Sequence, residues 1–281
     1  MLVSVIIPNY NHAIYLEQRI ESVLLQTYTN LEVIILDDLS TDNSTEVINR
    51  YRTDVRIKKV IINDVNSGST FLQWQRGISE ATGDLIWVAE SDDWCEPTLL
   101  ENLVPAFEMS SCTLSYCQSY CVDGNEIRWQ SSSKFLQEYV DGKTFIRERM
   151  LMHNSIFNAS MVVWRRTHFM KISSEFANYR FCGDWLFWIE LCTVGDVFIS
   201  GKCLNYFRKE GTDVSSVAYN TGYNFVEELT LADLLHRRGI MPREVLISSA
   251  QRRKELFEQR RSLFTNGVCE KVEDIYARIG L

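Results

Sequence analysis

The chain has 281 residues, 46% of them hydrophobic and 23% charged, which suits a soluble globular protein with room for one large domain or a domain plus a small appendage. A net charge of −8 argues against general nucleic-acid binding, which needs a basic excess, but it leaves room for one nucleotide held by backbone amides and a metal. Apolar runs fall far short of the roughly 20 residues that span a bilayer, and eight cysteines without a CxxC pair argue for free thiols in a reducing, cytoplasmic setting.

The opening Met-Leu-Val-Ser-Val-Ile-Ile-Pro lacks a basic leader and a small-residue cleavage site, so it reads as a first strand over 3–8. The polar loop Asn9-Tyr10-Asn11-His12 follows, then an amphipathic helix over 14–26 with Leu16, Ile20, Val23 and Leu24 at helical spacing. A buried strand over 31–36 ends in Asp37-Asp38-Leu39-Ser40-Thr41-Asp42-Asn43-Ser44, where one of residues 41–44 is expected to cap a helix running to 51. A strand over 56–62, the turn Asn66-Ser67-Gly68-Ser69 and a helix over 70–81 lead to Gly83. Residues 85–89 are continuously apolar, as in a parallel strand buried on both faces. Four alternations of strand and helix predict an α/β fold, a mostly parallel sheet covered by helices on both faces.

Beyond residue 96 the pattern predicts a helix over 97–109, a strand over 112–119, a polar stretch over 122–139 without assignment, and a helix over 141–152. A strand over 160–164 and a short helix after Arg165-Arg166 come next. The aromatic-rich run 179–188 contains Asp184, which opens a helix to about 194. Strands over 197–200 and 203–208 follow, and from 221 the chain reads as helical, best at 224–238 and 244–264. Basic residues Arg252, Arg253, Lys254, Arg260 and Arg261 form either a solvated helix face or a contact for anionic lipid headgroups, a peripheral membrane role.

The chemistry concentrates where the strand at 85–89 ends in Glu90, Asp92 and Asp93, followed by Trp94. Two unit charges 4 Å apart repel by roughly 4 kcal/mol at an effective dielectric near 20, so carboxylates aimed at one spot favour a cation there. Oxygen ligation suits Mg2+ or Mn2+ completed by water and phosphate oxygens. The competing reading is a helix-start loop in which Asp93 or Glu96 caps the next helix and Asp92 is solvated. Serine-hydrolase and dinucleotide chemistry lack their GxSxG and GxGxxG signatures, and His12, His153, His168 and His236 show no metal-ligand spacing.

Taken together, "SVIIPNYN", "IILDDLSTDNS", "NSGS", "ATGDLIWVAESDDW", "FCGDWLFWIEL" and "NYFRKEGTDVSS" resemble the family 2 glycosyltransferases, across about residues 3–216. The resemblance implies a GT-A fold over 1–215 with a helical extension over 216–281, and inverting transfer of a hexose or N-acetylhexosamine from a UDP-sugar to a glycan, glycoprotein or lipid-linked acceptor. By the same resemblance, Pro8 and Tyr10 pack on the nucleotide base and Asp38 accepts a hydrogen bond from it. Asp93 is then the direct Mn2+ or Mg2+ ligand, Asp92 faces the ribose or sugar, and Asp184 is the catalytic base. A uracil imide N–H requires an acceptor, which a carboxylate on a rigid strand end supplies. Trp185 and Trp188 either stack on an acceptor sugar or pack in the core.

Two departures stand out. Trp74-Gln75 replaces the Arg-Asn pair of many relatives, with Arg76 as a substitute only if the helix is rotated, and Glu210 stands where many carry a histidine. A catalytically silent binding subunit is the first alternative. A sugar nucleotidyltransferase is the second, although it calls for a glycine-rich, basic loop after the first strand, which residues 9–12 do not provide. The C-terminal helices either pair with a second subunit or pack back on the sheet.

Overall fold

The computed structural model describes residues 1–209 and 214–281. Its opening elements are β1 (Val3–Asn9), α1 (Ala13–Leu24), β2 (Leu31–Asp37), α2 (Ser44–Tyr51), β3 (Ile57–Ile62), α3 (Thr70–Glu80) and β4 (Leu85–Val88). Every residue of β1, β2 and β4 is buried, so their unbroken β-branched runs are central strands covered on both faces. β3 carries Lys58 and Lys59 because it is the sheet edge, where charged side chains discourage further pairing.

The second half comprises β5 (Trp94–Cys95), α4 (Leu99–Leu103), β6 (Cys112–Asp123), β7 (Glu126–Gln130), β8 (Gln137–Val140), α5 (Gly142–Phe145), β9 (Val162–Arg165), α6 (Arg166–Phe169), α7 (Gly183–Val194) and β10 (Asp196–Arg208). Along the sheet the order is β3-β2-β1-β4-β9-β6-β10-β5, with β7 added to β6 and β8 to β10. β9 runs antiparallel to both β4 and β6, which restores β6 and β10 to the direction of the first four strands.

Several expected boundaries move for identifiable reasons. The helix expected over 97–109 is interrupted at Pro105, which has no N–H to donate, and continues as a 3-10 turn over Val104–Glu108. The stretch 122–139 holds two edge strands, β7 and β8. β7 is exposed at every position and therefore shows no apolar alternation. The two strands expected at 197–200 and 203–208 are one strand, β10, whose register against β6 shifts between Ile199 and Cys203. Capping of α2 falls to Asp42, whose Oδ1 accepts from Ser44 N (3.0 Å) while its Oδ2 accepts from Ala13 N (2.8 Å) at the start of α1.

The C-terminal helices α8 (Val214–Thr221), α9 (Tyr223–Arg237), α10 (Arg243–Arg260) and α11 (Asn266–Ile279) pack around Phe225, Phe257 and Phe264. They fold back onto the first body of the chain. Glu227 accepts the N–H groups of Arg180, Phe181 and Cys182 (2.8, 2.8 and 3.1 Å) just before α7, and Arg253 reaches Glu228 (2.7 Å) and the Met152 carbonyl (3.2 Å). α11 falls within the region expected to be helical from 221 onward, after the two best-marked stretches.

Candidate active site

β1, β2 and β4 end on the same edge of the sheet. After β1 the chain moves to one side of the sheet for β2 and β3, then returns across β1 for β4. Loops leaving β1 and β4 consequently diverge and open a crevice, the position where open α/β sheets bind ligands.

The loops of this edge are locked together. Asn11 takes a left-handed backbone (φ 57°); its Oδ1 accepts from Thr41 N (2.7 Å), and its own N–H donates to Ser40 Oγ (2.9 Å). Leu39 is also left-handed (φ 61°), a conformation that costs a non-glycine residue on the order of 1–3 kcal/mol and that clusters at functional loops. Pro8 is buried at the end of β1, whereas Tyr10 is 48% exposed at the crevice.

Asp38 is buried in a cage of donors. Oδ1 accepts from Asn63 Nδ2 (2.7 Å), Ser67 N (2.9 Å) and Gln73 Nε2 (2.9 Å), and Oδ2 accepts from Ser67 Oγ (2.7 Å). The carboxylate thus orders the loop before α3, and Oδ2 is the oxygen with acceptor capacity left for a ligand N–H.

The acidic loop after β4 divides its carboxylates between interior and crevice. Asp93 is 2% exposed: Oδ2 accepts from Asn158 Nδ2 (2.6 Å), Oδ1 accepts from Arg208 N (3.0 Å), and the fully buried Arg19 guanidinium lies 3.9 Å away. Glu90 accepts from Trp74 Nε1 (2.8 Å). Burial, reinforced by the charge of Asp92, pushes Glu90 up to about 8 and Asp93 up to about 7. Asp92 is half-buried, and its carboxylate has no hydrogen-bond donor among the described residues. The expectation that Asp93 is the direct metal ligand therefore meets a different geometry, in which Asp93 is bonded inward and Asp92 is the free carboxylate. Among the described residues no three His, Cys, Asp or Glu side chains gather to hold a metal by themselves. One free carboxylate beside two strongly proton-attracting ones suits Mg2+ or Mn2+, which bind through one or two carboxylates with phosphate and water oxygens completing the shell.

Asp184 sits in the first turn of α7, half-buried, and accepts from Asn154 Nδ2 (2.9 Å). Burial pushes it up to about 7, opposed by hydrogen bonds from the Trp185 backbone and Asn154. A Cβ on Gly183 would meet the Phe176 carbonyl at 2.3 Å and the Phe71 ring at 2.7 Å, so only glycine lets the start of α7 seat on α3. One turn on, Phe187 and Trp188 pack against Trp74 (5.7 and 6.0 Å between centroids), the residue that holds Glu90. The segment from Asn154 to Asn158 closes the arrangement, with its first residue on Asp184 and its last on Asp93. Four residue steps span at most about 14 Å, so a short stretch of chain links the expected base to the acidic loop.

Trp185 departs from the expected sugar-stacking role: it is 5% exposed, its Nε1 donates to the Met150 carbonyl (2.8 Å), and Arg253 covers its ring at 5.6 Å. Trp188 is fully buried. Arg76 points outward to Glu80 (3.5 Å), so Trp74, and not a cation, occupies the site side of α3. Glu210 lies outside the described residues. His12 shares a 2.8 Å hydrogen bond between its Nδ1 and Ser91 Oγ, tying the first loop to the acidic one.

Arg19, Arg208, Asn154 and Asn158 escaped the sequence reading. Arg19 left a trace, a cation on the apolar face of α1 among Leu16, Ile20 and Val23. Arg208 closes the back of the acidic loop, its Nε on the Asp92 carbonyl (2.8 Å) and its guanidinium between the rings of Tyr15 (4.1 Å) and Trp94 (4.7 Å).

The sequence model described as glycosyl transferase family 2 matches residues 4–172, more than half of the chain. The chain belongs to this family. Glycosyltransferase GlyG of Streptococcus pneumoniae serotype 4 is 31% identical over 165 residues, covering 58% of this chain and 52% of GlyG. The putative teichuronic acid biosynthesis glycosyltransferase TuaG of Bacillus subtilis (strain 168) is 27% identical over 217 residues, covering 76% of this chain and 82% of TuaG. The chain spans about half the length of several curated relatives it matches, GlyG among them. The S. aureus TarS 1–349 structure in complex with UDP-GlcNAc superposes with a TM-score of 0.71 at 19% identity, over 99% of this chain and 80% of that one, which establishes the GT-A fold.

Proposed function

We propose that this family 2 glycosyltransferase moves a hexose or N-acetylhexosamine from a UDP-sugar to a hydroxyl of a glycan acceptor, with inversion. The observation that supports the reading is the segment joining Asn154 on Asp184 to Asn158 on Asp93, a short link between the carboxylate we assign as base and the acidic loop. Tyr10, exposed, flanks the base, Pro8 shapes the loop beneath it, and Asp38 accepts the uracil imide N–H on Oδ2. Asp92, not Asp93, is the carboxylate we assign to the metal, with Asp93 holding the loop in place. A divalent cation bound there supplies Lewis-acid stabilisation of the diphosphate leaving group.

Asp184 removes the acceptor proton as the hydroxyl attacks C1 from the face opposite the leaving group. A carboxyl raised to about 7 is suited to this work, since its basicity is far greater than that of a solvated aspartate while it is still half ionised at neutral pH. Neighbouring complexes support a UDP-sugar donor, TarS having been captured with UDP-GlcNAc. The similarity to TuaG, a putative teichuronic acid biosynthesis glycosyltransferase, favours a glycan acceptor.

The free state of all eight cysteines fits a cytoplasmic setting. No helix among the described residues is long and apolar enough to cross a membrane. The basic C-terminal residues favour a structural role over lipid contact, because Arg253 pairs with Glu228, Arg261 with Glu258 and Glu273, and Arg260 with the Tyr219 carbonyl.

Calorimetric titration with UDP, with GDP and dTDP as controls, in Mn2+ and then in excess chelator, tests the reading. UDP-selective binding that disappears with chelator is the expected result. No binding of any of the three nucleotides in either condition would overturn it in favour of a silent binding subunit.

A further inference from the structure

With Trp185 and Trp188 inside the protein, the rings named from the sequence leave the acceptor without a stacking surface. The alternation of β10 indicates another. Asn205 and Phe207 point to one face of the strand, Tyr206 and Arg208 to the other. On the first face Asn205 Nδ2 donates to Asn158 Oδ1 (3.2 Å), so this is the face of the segment that joins Asp93 to Asp184. Phe207 on the same face lies 6.5 Å from Trp129 of β7, and Trp129 lies 4.9 Å from Phe157 at an interplanar angle of 59°.

Phe157 sits inside that joining segment, immediately before Asn158 and three residues after Asn154. Its Cα is therefore within about 11 Å of the residue holding Asp184. Trp129 is 38% exposed and Phe157 42% exposed, although Ile156 and Asn158 on either side of Phe157 are buried. Two neighbouring aromatic rings kept in water, one of them on the segment that binds Asp184, forgo burial that folding would otherwise reward, and such patches mark binding sites.

We propose that Trp129 and Phe157 form the platform on which a pyranose ring of the acceptor glycan stacks. The axial C–H groups of a pyranose carry partial positive charge and meet the negative face of an aromatic ring, leaving the ring hydroxyls at the edge free to approach Asp184. The edge-strand character of β7 explains its uniformly exposed sequence, because the strand serves to present Trp129 and covers no core. The inference rests on the transferase reading above and names the acceptor side of the same site.

Its test is an array of immobilised oligosaccharides with terminal glucose, galactose, N-acetylglucosamine, N-acetylgalactosamine, mannose, rhamnose or glucuronate, probed with the protein in UDP and Mn2+. UDP affinity is measured on the same preparations. Wild type is expected to be retained by at least one terminal sugar, with retention falling tenfold or more in Trp129→Ala and in Phe157→Ala and largely restored in Trp129→Tyr and Phe157→Tyr. UDP affinity should stay within twofold throughout, which also shows that the variants are folded. Unchanged retention of both alanine variants, or a wild type that binds UDP but none of the sugars, overturns the platform. Loss of UDP binding by wild type itself would instead strike the donor reading, so the two failures are separable.

Discussion

Asp184→Asn separates the proposed base from every other ionisable group near the acidic loop. Asparagine keeps the shape and still accepts from Asn154, but it cannot take a proton. General-base catalysis contributes typically 10²–10⁴-fold, so transfer should fall by about that factor, about 3–5 kcal/mol in the barrier, with UDP affinity nearly intact. With the carboxyl near 7, the ionised fraction drops about tenfold between pH 8 and pH 6, and wild-type kcat should fall in parallel. Glu90 and Asp93 titrate in the same window, so UDP affinity must be followed over the same range; the Asp184 limb belongs to kcat alone. Stability gives an independent reading. The folded-state pKa of Asp184 is raised above its unfolded value of about 3.8, so the group contributes fully below pH 3.8 and that contribution is lost as pH rises through about 7. Relative to wild type, the variant should therefore gain Tm at pH 8 compared with pH 5. Transfer above one tenth of wild type, or equal loss of transfer and UDP binding, would refute the assignment of Asp184 as base.

Asp92→Ala should abolish the metal dependence of UDP binding, while Asp93→Ala, acting through the loop, should weaken it about ten- to a hundredfold; calorimetry with and without Mn2+ decides, and the reverse ranking returns the ligand role to Asp93. Asn158→Ala removes a hydrogen bond to the buried Asp93 worth about 2 kcal/mol when that carboxylate is charged. Unfolding entropy near 2.1 cal/mol/K per residue amounts to about 0.6 kcal/mol/K for this chain, so Tm should drop by about 3 °C. Burial raises Asp93 in the folded protein, so the charged form, and with it the larger penalty, gains weight as pH rises. Thermal melts at pH 8.5 and 5.5 that show equal losses would contradict this account.

How much of the molecule was legible depended on whether a residue's role is local. The strands β1, β2 and β4 announce themselves because a parallel strand covered on both faces must be apolar throughout, and their acid-bearing ends follow directly. The helix α1 shows its apolar spacing because only one of its faces is buried. β7 was opaque because it is exposed throughout and carries no periodic signal, β8 because its four residues are too few to show their alternation, and the single continuous β10 was hidden by the bulge that breaks its alternation.

The site divided along the same line. Sequence alone determined which carboxylates cluster after β4, which acid opens α7, and the family to which their order points, since each is a matter of neighbours along the chain. Tertiary structure alone decided that Asp93 turns inward to Asn158 while Asp92 meets no hydrogen-bond donor among the described residues, that Trp185 is core, and that Arg19 answers the buried acids from a helix some seventy residues earlier. These are contacts between segments far apart in sequence. Burial and donor geometry around a side chain, which set its pKa and its free lone pairs, come into being only when those segments pack together.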